Sequence, residues 1–157
     1  MLNVGERAPD FELPCVTGEV VKLSDFLGKK VILCFLKETL NDMWDLNSYA
    51  FLDWSYQEFQ QYDLIPICIF PGSKKKIPTF YDMVPILAPL LYDQKKTVTR
   101  SYDVEVNKVI FGKPKTLVQE CAFFISEEGI IEKQFKKFHY QTAMNQIMEH
   151  LRKRKKK

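Results

Sequence analysis

Cysteine offers the most chemistry in this sequence, because a thiolate is both a nucleophile and a metal ligand. Four cysteines, Cys15, Cys34, Cys68 and Cys121, are spread along 157 residues with no C-x-x-C and no paired spacing. Neither a zinc site nor a thioredoxin-type dithiol is written here. Cys34, Cys68 and Cys121 fall inside strand-like apolar runs and read as small core residues with inert thiols. If a thiol is redox-active, Cys15 is the first candidate, being expected at a strand end beside a turn, and Cys34 the second. His139 and His150 are too far apart to suggest a metal site, so neither a metal nor a cofactor is expected. A polar stretch containing Asn41, Asp42 and Asp45 directly follows an apolar run and is the other place where chemistry could sit.

These groups need elements to position them. Residues 31–36, Val-Ile-Leu-Cys-Phe-Leu, read as a buried strand, and residues 44–62 as a helix. Residues 64–70 read as a second buried strand. Strand, helix, strand in this order implies a right-handed crossover and a parallel pair. In such folds ligands and reactive groups collect beyond the carboxyl end of the strand, so residues 41–45 are where to look. In the helix, Tyr49, Leu52, Tyr56 and Phe59 keep helical spacing and mark a buried stripe. Trp44, Phe51 and Trp54 lie off that line, which implies a second contact or a sticky exposed face.

The rest of the chain supplies the frame. Phe11, Leu13, Val21 and Leu23 alternate around Thr17-Gly18-Glu19, a hairpin signal, with Ser24 able to cap a short turn before Gly28. A helix is predicted over residues 74–83 and a short one over 97–102. Residues 107–119 read as a loop or an edge hairpin. Residues 121–126 and 130–135 form a hairpin around Glu127-Glu128-Gly129. Residues 141–151 form an amphipathic helix burying Ala143, Met144, Ile147, Met148 and Leu151.

Composition sets the class. An apolar fraction of 46% and a charged fraction of 27% suit a soluble α/β protein, expected as one domain over residues 1–151. No apolar run approaches the roughly 20 residues of a membrane span, and the start lacks a signal-peptide pattern. An intracellular, cytoplasmic protein is expected. The formal charge of +3 hides an asymmetry, because Arg152, Lys153, Arg154, Lys155, Lys156 and Lys157 close the chain and the remainder is net negative. Such a run repels itself and is expected to be a disordered tail. If it binds nucleic acid or an anionic surface, that binding would weaken with salt.

Several motifs in this order resemble the peroxiredoxins of the alkyl hydroperoxide reductase and thiol-specific antioxidant group, closest to the bacterioferritin-comigratory subgroup. The likeness begins with residues 4–14, Val-Gly-Glu-Arg-Ala-Pro-Asp-Phe-Glu-Leu-Pro, then Leu23-Ser24-Asp25-Phe26 and Gly28-Lys29-Lys30-Val31. It continues through Phe51-Leu52-Asp53, Pro89-Leu90-Leu91-Tyr92-Asp93, Tyr102-Asp103-Val104, and Phe123-Phe124-Ile125 with Glu128-Gly129. The resemblance implies a thioredoxin-like fold of peroxiredoxin type, a central mixed sheet flanked by helices with an N-terminal β-hairpin.

The family's catalytic motif is P-x-x-x-T-x-x-C, with the cysteine opening a helix and an arginine from the later hairpin completing the site. A helix amino terminus and a guanidinium both favour the thiolate that attacks peroxide. Aligned without gaps on Phe51 and Asp53, the proline position is Lys37, the threonine position Asn41 and the nucleophile position Trp44. Counting back from Phe123, the arginine position is Glu120, and the resolving-cysteine position of some members is Tyr49. Indole cannot replace a thiolate, and a carboxylate raises the pKa of a neighbouring thiol. The resemblance therefore implies a peroxiredoxin-like protein that has lost its peroxidase and acts by binding, the alternative being a peroxidase using displaced Cys15 or Cys34. Trp44, Tyr49, Phe51 and Trp54 are the candidate homodimer or partner surface.

Overall fold

The computed structural model describes residues 1–37, 56–77, 89–137 and 140–155. A strand that is apolar on both faces has to be covered on both faces. β3 (Lys30–Phe35) is accordingly central in a five-stranded sheet, with β4 (Leu64–Phe70) and β8 (Cys121–Ile125) as its neighbours. β4 runs parallel to β3, with Cys34 in register with Cys68, and β8 runs antiparallel, with Phe35 opposite Cys121. β5 (Leu90–Tyr92) and β9 (Ile131–Phe135) form the edges, in the order β5-β4-β3-β8-β9. Pro66 sits in β4 without harm, because β5 pairs only with Cys68 to Phe70 and leaves that side of Pro66 outside its ladder.

Alternation divides the core in two. One face carries Ile32, Cys34, Cys68 and Phe124 and packs against Phe59 of α1 and Ile147 and Leu151 of α3. The described part of α1 is Tyr56–Gln60, and α3 is Tyr140–Lys155. The other face carries Leu33, Phe35, Ile67, Ile69 and Phe123. It is covered by β1 (Glu12–Pro14) and β2 (Val20–Lys22), which form the N-terminal hairpin, and by α2 (Thr97–Ser101) with the residues after it. A further two-stranded hairpin, β6 (Glu105–Ile110) and β7 (Lys113–Val118), pairs with neither sheet.

Four expectations are corrected. The helix expected over residues 74–83 is, in its described part, a 3-10 turn over Lys74–Lys76, and Ile77 is already extended. Ser24 does not cap its turn through its side chain; the Asp10 carboxylate instead accepts hydrogen bonds from the Ser24 and Phe11 backbone N–H groups, both at 2.9 Å. For residues 107–119 the hairpin alternative holds, over Glu105–Val118, and only its place is corrected: it stands apart from the central sheet instead of at its edge. The basic run expected to be disordered from residue 152 continues α3 through Lys155.

The physical reason for the last correction is neutralisation by distant carboxylates. Arg154 Nη2 donates to Glu127 at 2.7 Å, and its Nε lies 2.7 Å from Glu132. Glu132 also meets His150 Nε2 at 2.9 Å, and the Arg154 guanidinium lies 5.6 Å from the centroid of the Phe124 ring. Burial pushes the Glu127 carboxyl up. A hydrogen bond with its own backbone, then Arg154 and Lys30, outweigh burial and hold it below the ordinary 4.5.

Candidate functional site

The carboxyl end of β3 is where the sheet should offer its chemistry. Leu36 continues the ladder by donating its N–H to the Ile69 carbonyl at 2.9 Å, and Lys37 emerges into solvent. Glu120 precedes β8, one step beyond the Phe35–Cys121 pair, so the register brings its backbone alongside the end of β3. Asn41, Trp44, Tyr49, Phe51 and Trp54 lie outside the described residues, as do His139, Lys156 and Lys157. Of the positions matched to the family motif, the structure therefore places two, Lys37 and Glu120, and brings both to the same end of the sheet.

Beneath this end lies an aromatic floor. The Phe35, Tyr102 and Phe123 rings sit 5.3 to 6.0 Å apart between centroids in tilted and edge-on arrangements. The Tyr102 hydroxyl donates to the Pro9 carbonyl at 2.6 Å, tying the amino-terminal segment to the floor. Burial, then the nearby Asp10 carboxylate, pushes that phenol up. A hydroxyl so held serves as a structural donor.

All four thiols are buried and unpaired by disulfides. Cys34, 1% exposed, faces Cys68 on the neighbouring strand. A hydrogen bond with Cys68 raises the Cys34 pKa well above 9.0, burial adds to it, and the neighbouring Cys68, Cys121 and Glu120 side chains act in the same direction. Burial pushes Cys121 up to about 12; the chain's amino terminus works against this and Glu120 with it. Cys15 follows β1 as expected, but its side chain is 6% exposed and its backbone is held by a bridge to Leu91 and by the Glu19 carbonyl at 2.7 Å. The sequence placed Cys15 at its strand end correctly and missed its burial, which comes from the distant strand β5.

One buried polar pair escaped the sequence reading. Asp93 accepts hydrogen bonds from the Thr99 N–H and hydroxyl, both at 2.7 Å, and fastens the start of α2 to the end of β5. A cavity of ≈ 560 Å³ opens beside it, against residues 9–14. A second cavity, ≈ 510 Å³, lies between β9 and α3. Neither is lined by Lys37 or Glu120. Among the described residues no group of histidines, cysteines and carboxylates is placed to hold a metal ion.

The family pattern of AhpC/TSA matches residues 4–134. The chain belongs to the AhpC/TSA family. Peroxiredoxin Bcp of Bacillus subtilis is 28% identical over 151 residues, which cover 96% of this chain and 96% of that one. Peroxiredoxin Bcp of Escherichia coli is 26% identical, over 95% of this chain and 97% of its own. Among solved structures, a mutant of Xylella fastidiosa PrxQ superposes with a TM-score of 0.85 at 15% identity, covering 98% of each chain. That likeness shows the fold, a thioredoxin-like mixed sheet of the kind AhpC/TSA members share.

Proposed function

We propose that this AhpC/TSA-family chain has given up thiol-peroxidase chemistry and works by binding a protein partner or a second copy of itself. The observation that carries the reading is the charge at the end of β3. Where the family resemblance puts a guanidinium, Glu120 supplies a carboxylate; the hydrogen bond with Cys68 and burial push the Cys34 thiol up, burial pushes Cys121 up, and Glu120 adds a smaller push to each. A peroxidatic thiol needs the opposite field, because the thiolate is the species that attacks the O–O bond. Burial of all four cysteines supports the same conclusion. With Trp44 in the nucleophile position, Trp44, Tyr49, Phe51 and Trp54 are the residues proposed to form the contact face.

The test is peroxide consumption with a dithiol reductant. The wild-type chain is expected to turn over no faster than the reductant alone. A variant carrying Lys37→Pro, Asn41→Thr, Trp44→Cys and Glu120→Arg is expected to gain a peroxide-dependent rate. Turnover by the wild-type chain would contradict the proposal and return attention to Cys15 and Cys34. For the contact face, light scattering on a sizing column is expected to show a wild-type dimer and a Trp54→Ala monomer. A monomeric wild type removes the homodimer and leaves a heterologous partner.

A further inference from the structure

The tip of the β6–β7 hairpin combines three features that folding alone disfavours. Its two-residue loop is Phe111-Gly112, and both residues have positive φ, +52° and +74°. That is the type I′ pattern, for which Asn-Gly or Asp-Gly is the usual solution and a bulky first residue is strained. The Phe111 side chain is 100% exposed, so it contributes nothing to the core. Behind it, Lys108 and Lys115 stand directly opposite each other, a like-charge pair that weakens a hairpin. Val109, 73% exposed, and Lys113 complete the tip, and residues 106–119 contain no acidic side chain.

The base of the same hairpin is orthodox. Val104 and Val118 are buried, and the Gln119 N–H donates to the Val104 carbonyl at 2.9 Å. A firm base carrying a strained, apolar and basic tip is the form of a probe, since strain at an exposed site persists where binding requires it.

We propose that this tip docks on an anionic lipid surface, with Phe111 and Val109 entering the headgroup layer and Lys108, Lys113 and Lys115 meeting the phosphates. Aromatic rings favour that layer, and lysine stems lie along apolar surface while the ammonium reaches outward. Each lysine near an anionic membrane is worth roughly fivefold in affinity, so three supply on the order of a hundredfold. A stable protein interface needs roughly 800 Å² from each partner and a socket shaped to fit, which a single convex turn does not offer. A bilayer makes no demand of shape. No described helix is long and apolar enough to cross a membrane, and the proposed contact is made by the hairpin tip. It is independent of whether the chain reduces peroxide.

The test uses the full chain and sedimentation with phosphatidylcholine vesicles, with and without phosphatidylserine. Wild type is expected to bind only the phosphatidylserine vesicles, and less as salt rises. Phe111→Asn is the decisive variant, because asparagine suits the left-handed position: it should raise the melting temperature while weakening vesicle binding by about tenfold or more. Replacing Lys108, Lys113 and Lys115 by glutamine should abolish binding with unfolding unchanged or improved. The proposal is overturned if wild type ignores both kinds of vesicle, which would point to an acidic protein partner. It is equally overturned if Phe111→Asn binds as wild type does, or if replacing Lys155, Lys156 and Lys157 by glutamine, with Arg154 kept, alone abolishes binding.

Discussion

Phe123 and Phe124 lie in β8 with no exposed surface, whereas Phe111, a dozen residues earlier, is exposed throughout. The residue type is the same and the sequence separation small, yet the energetic roles are opposite. In β8 each phenylalanine is there because folding rewards it: Phe123 packs on Phe35 and Tyr102, and Phe124 lies under His150 at 4.4 Å between ring centroids. In the hairpin tip, folding would prefer another residue. The contrast separates positions that explain the fold from positions that need a reason outside it.

The contrast is broken most forcefully in β8. Phe124→Ala is expected to destabilise the protein by about 3–5 kcal/mol, because it opens a cavity in the sheet face and removes the ring beneath Arg154 and His150. Urea unfolding measures it, and a loss below about 1 kcal/mol would mean that this face repacks freely. Arg154→Ala should cost about 1 kcal/mol, a modest value because Glu127 is 35% open to water. Its signature is acid dependence. The folded Glu127 carboxyl sits below 4.5, so its contribution is complete above that value and is lost as pH falls through the folded value. Arg154→Ala should flatten the stability profile in that acid window. Phe111→Asn has the opposite sign, a gain of about 1 kcal/mol from relieved backbone strain, which calorimetry can read. Alkylation of the folded protein at neutral pH sharpens the comparison from the side of chemistry: Cys34 and Cys121 are expected to react only as fast as the protein unfolds.

Much of the fold was legible because its strands are written as local runs. Residues 31–36 and 64–70 are apolar on both faces, and only a doubly covered parallel pair accommodates them. The β8–β9 turn was equally plain, with Gly129 at φ +81° where a side chain would be strained. What escaped depends on distant partners. The run from Arg152 onward reads as mutual repulsion until Glu127 and Glu132, more than 20 residues earlier, neutralise Arg154. Ser24 has the residue type of a cap, yet it is the Asp10 carboxylate, from the preceding segment, that accepts the Ser24 N–H. At the candidate site, counting from Phe123 located Glu120, and the register with β3 gave it a neighbourhood. Phe111 left one signal that could have been read: Phe-Gly between two alternating strands, where Asn-Gly is the ordinary choice.

The central claim is that no cysteine of this chain is a peroxidatic nucleophile. Intact-mass analysis of the fully reduced protein, after a short exposure to substoichiometric peroxide, tests it most directly. The expected result is an unchanged mass after minutes, with no sulfenic acid and no disulfide. Rapid oxidation of one cysteine would contradict the account, and single-cysteine variants would then show which residue had become the nucleophile.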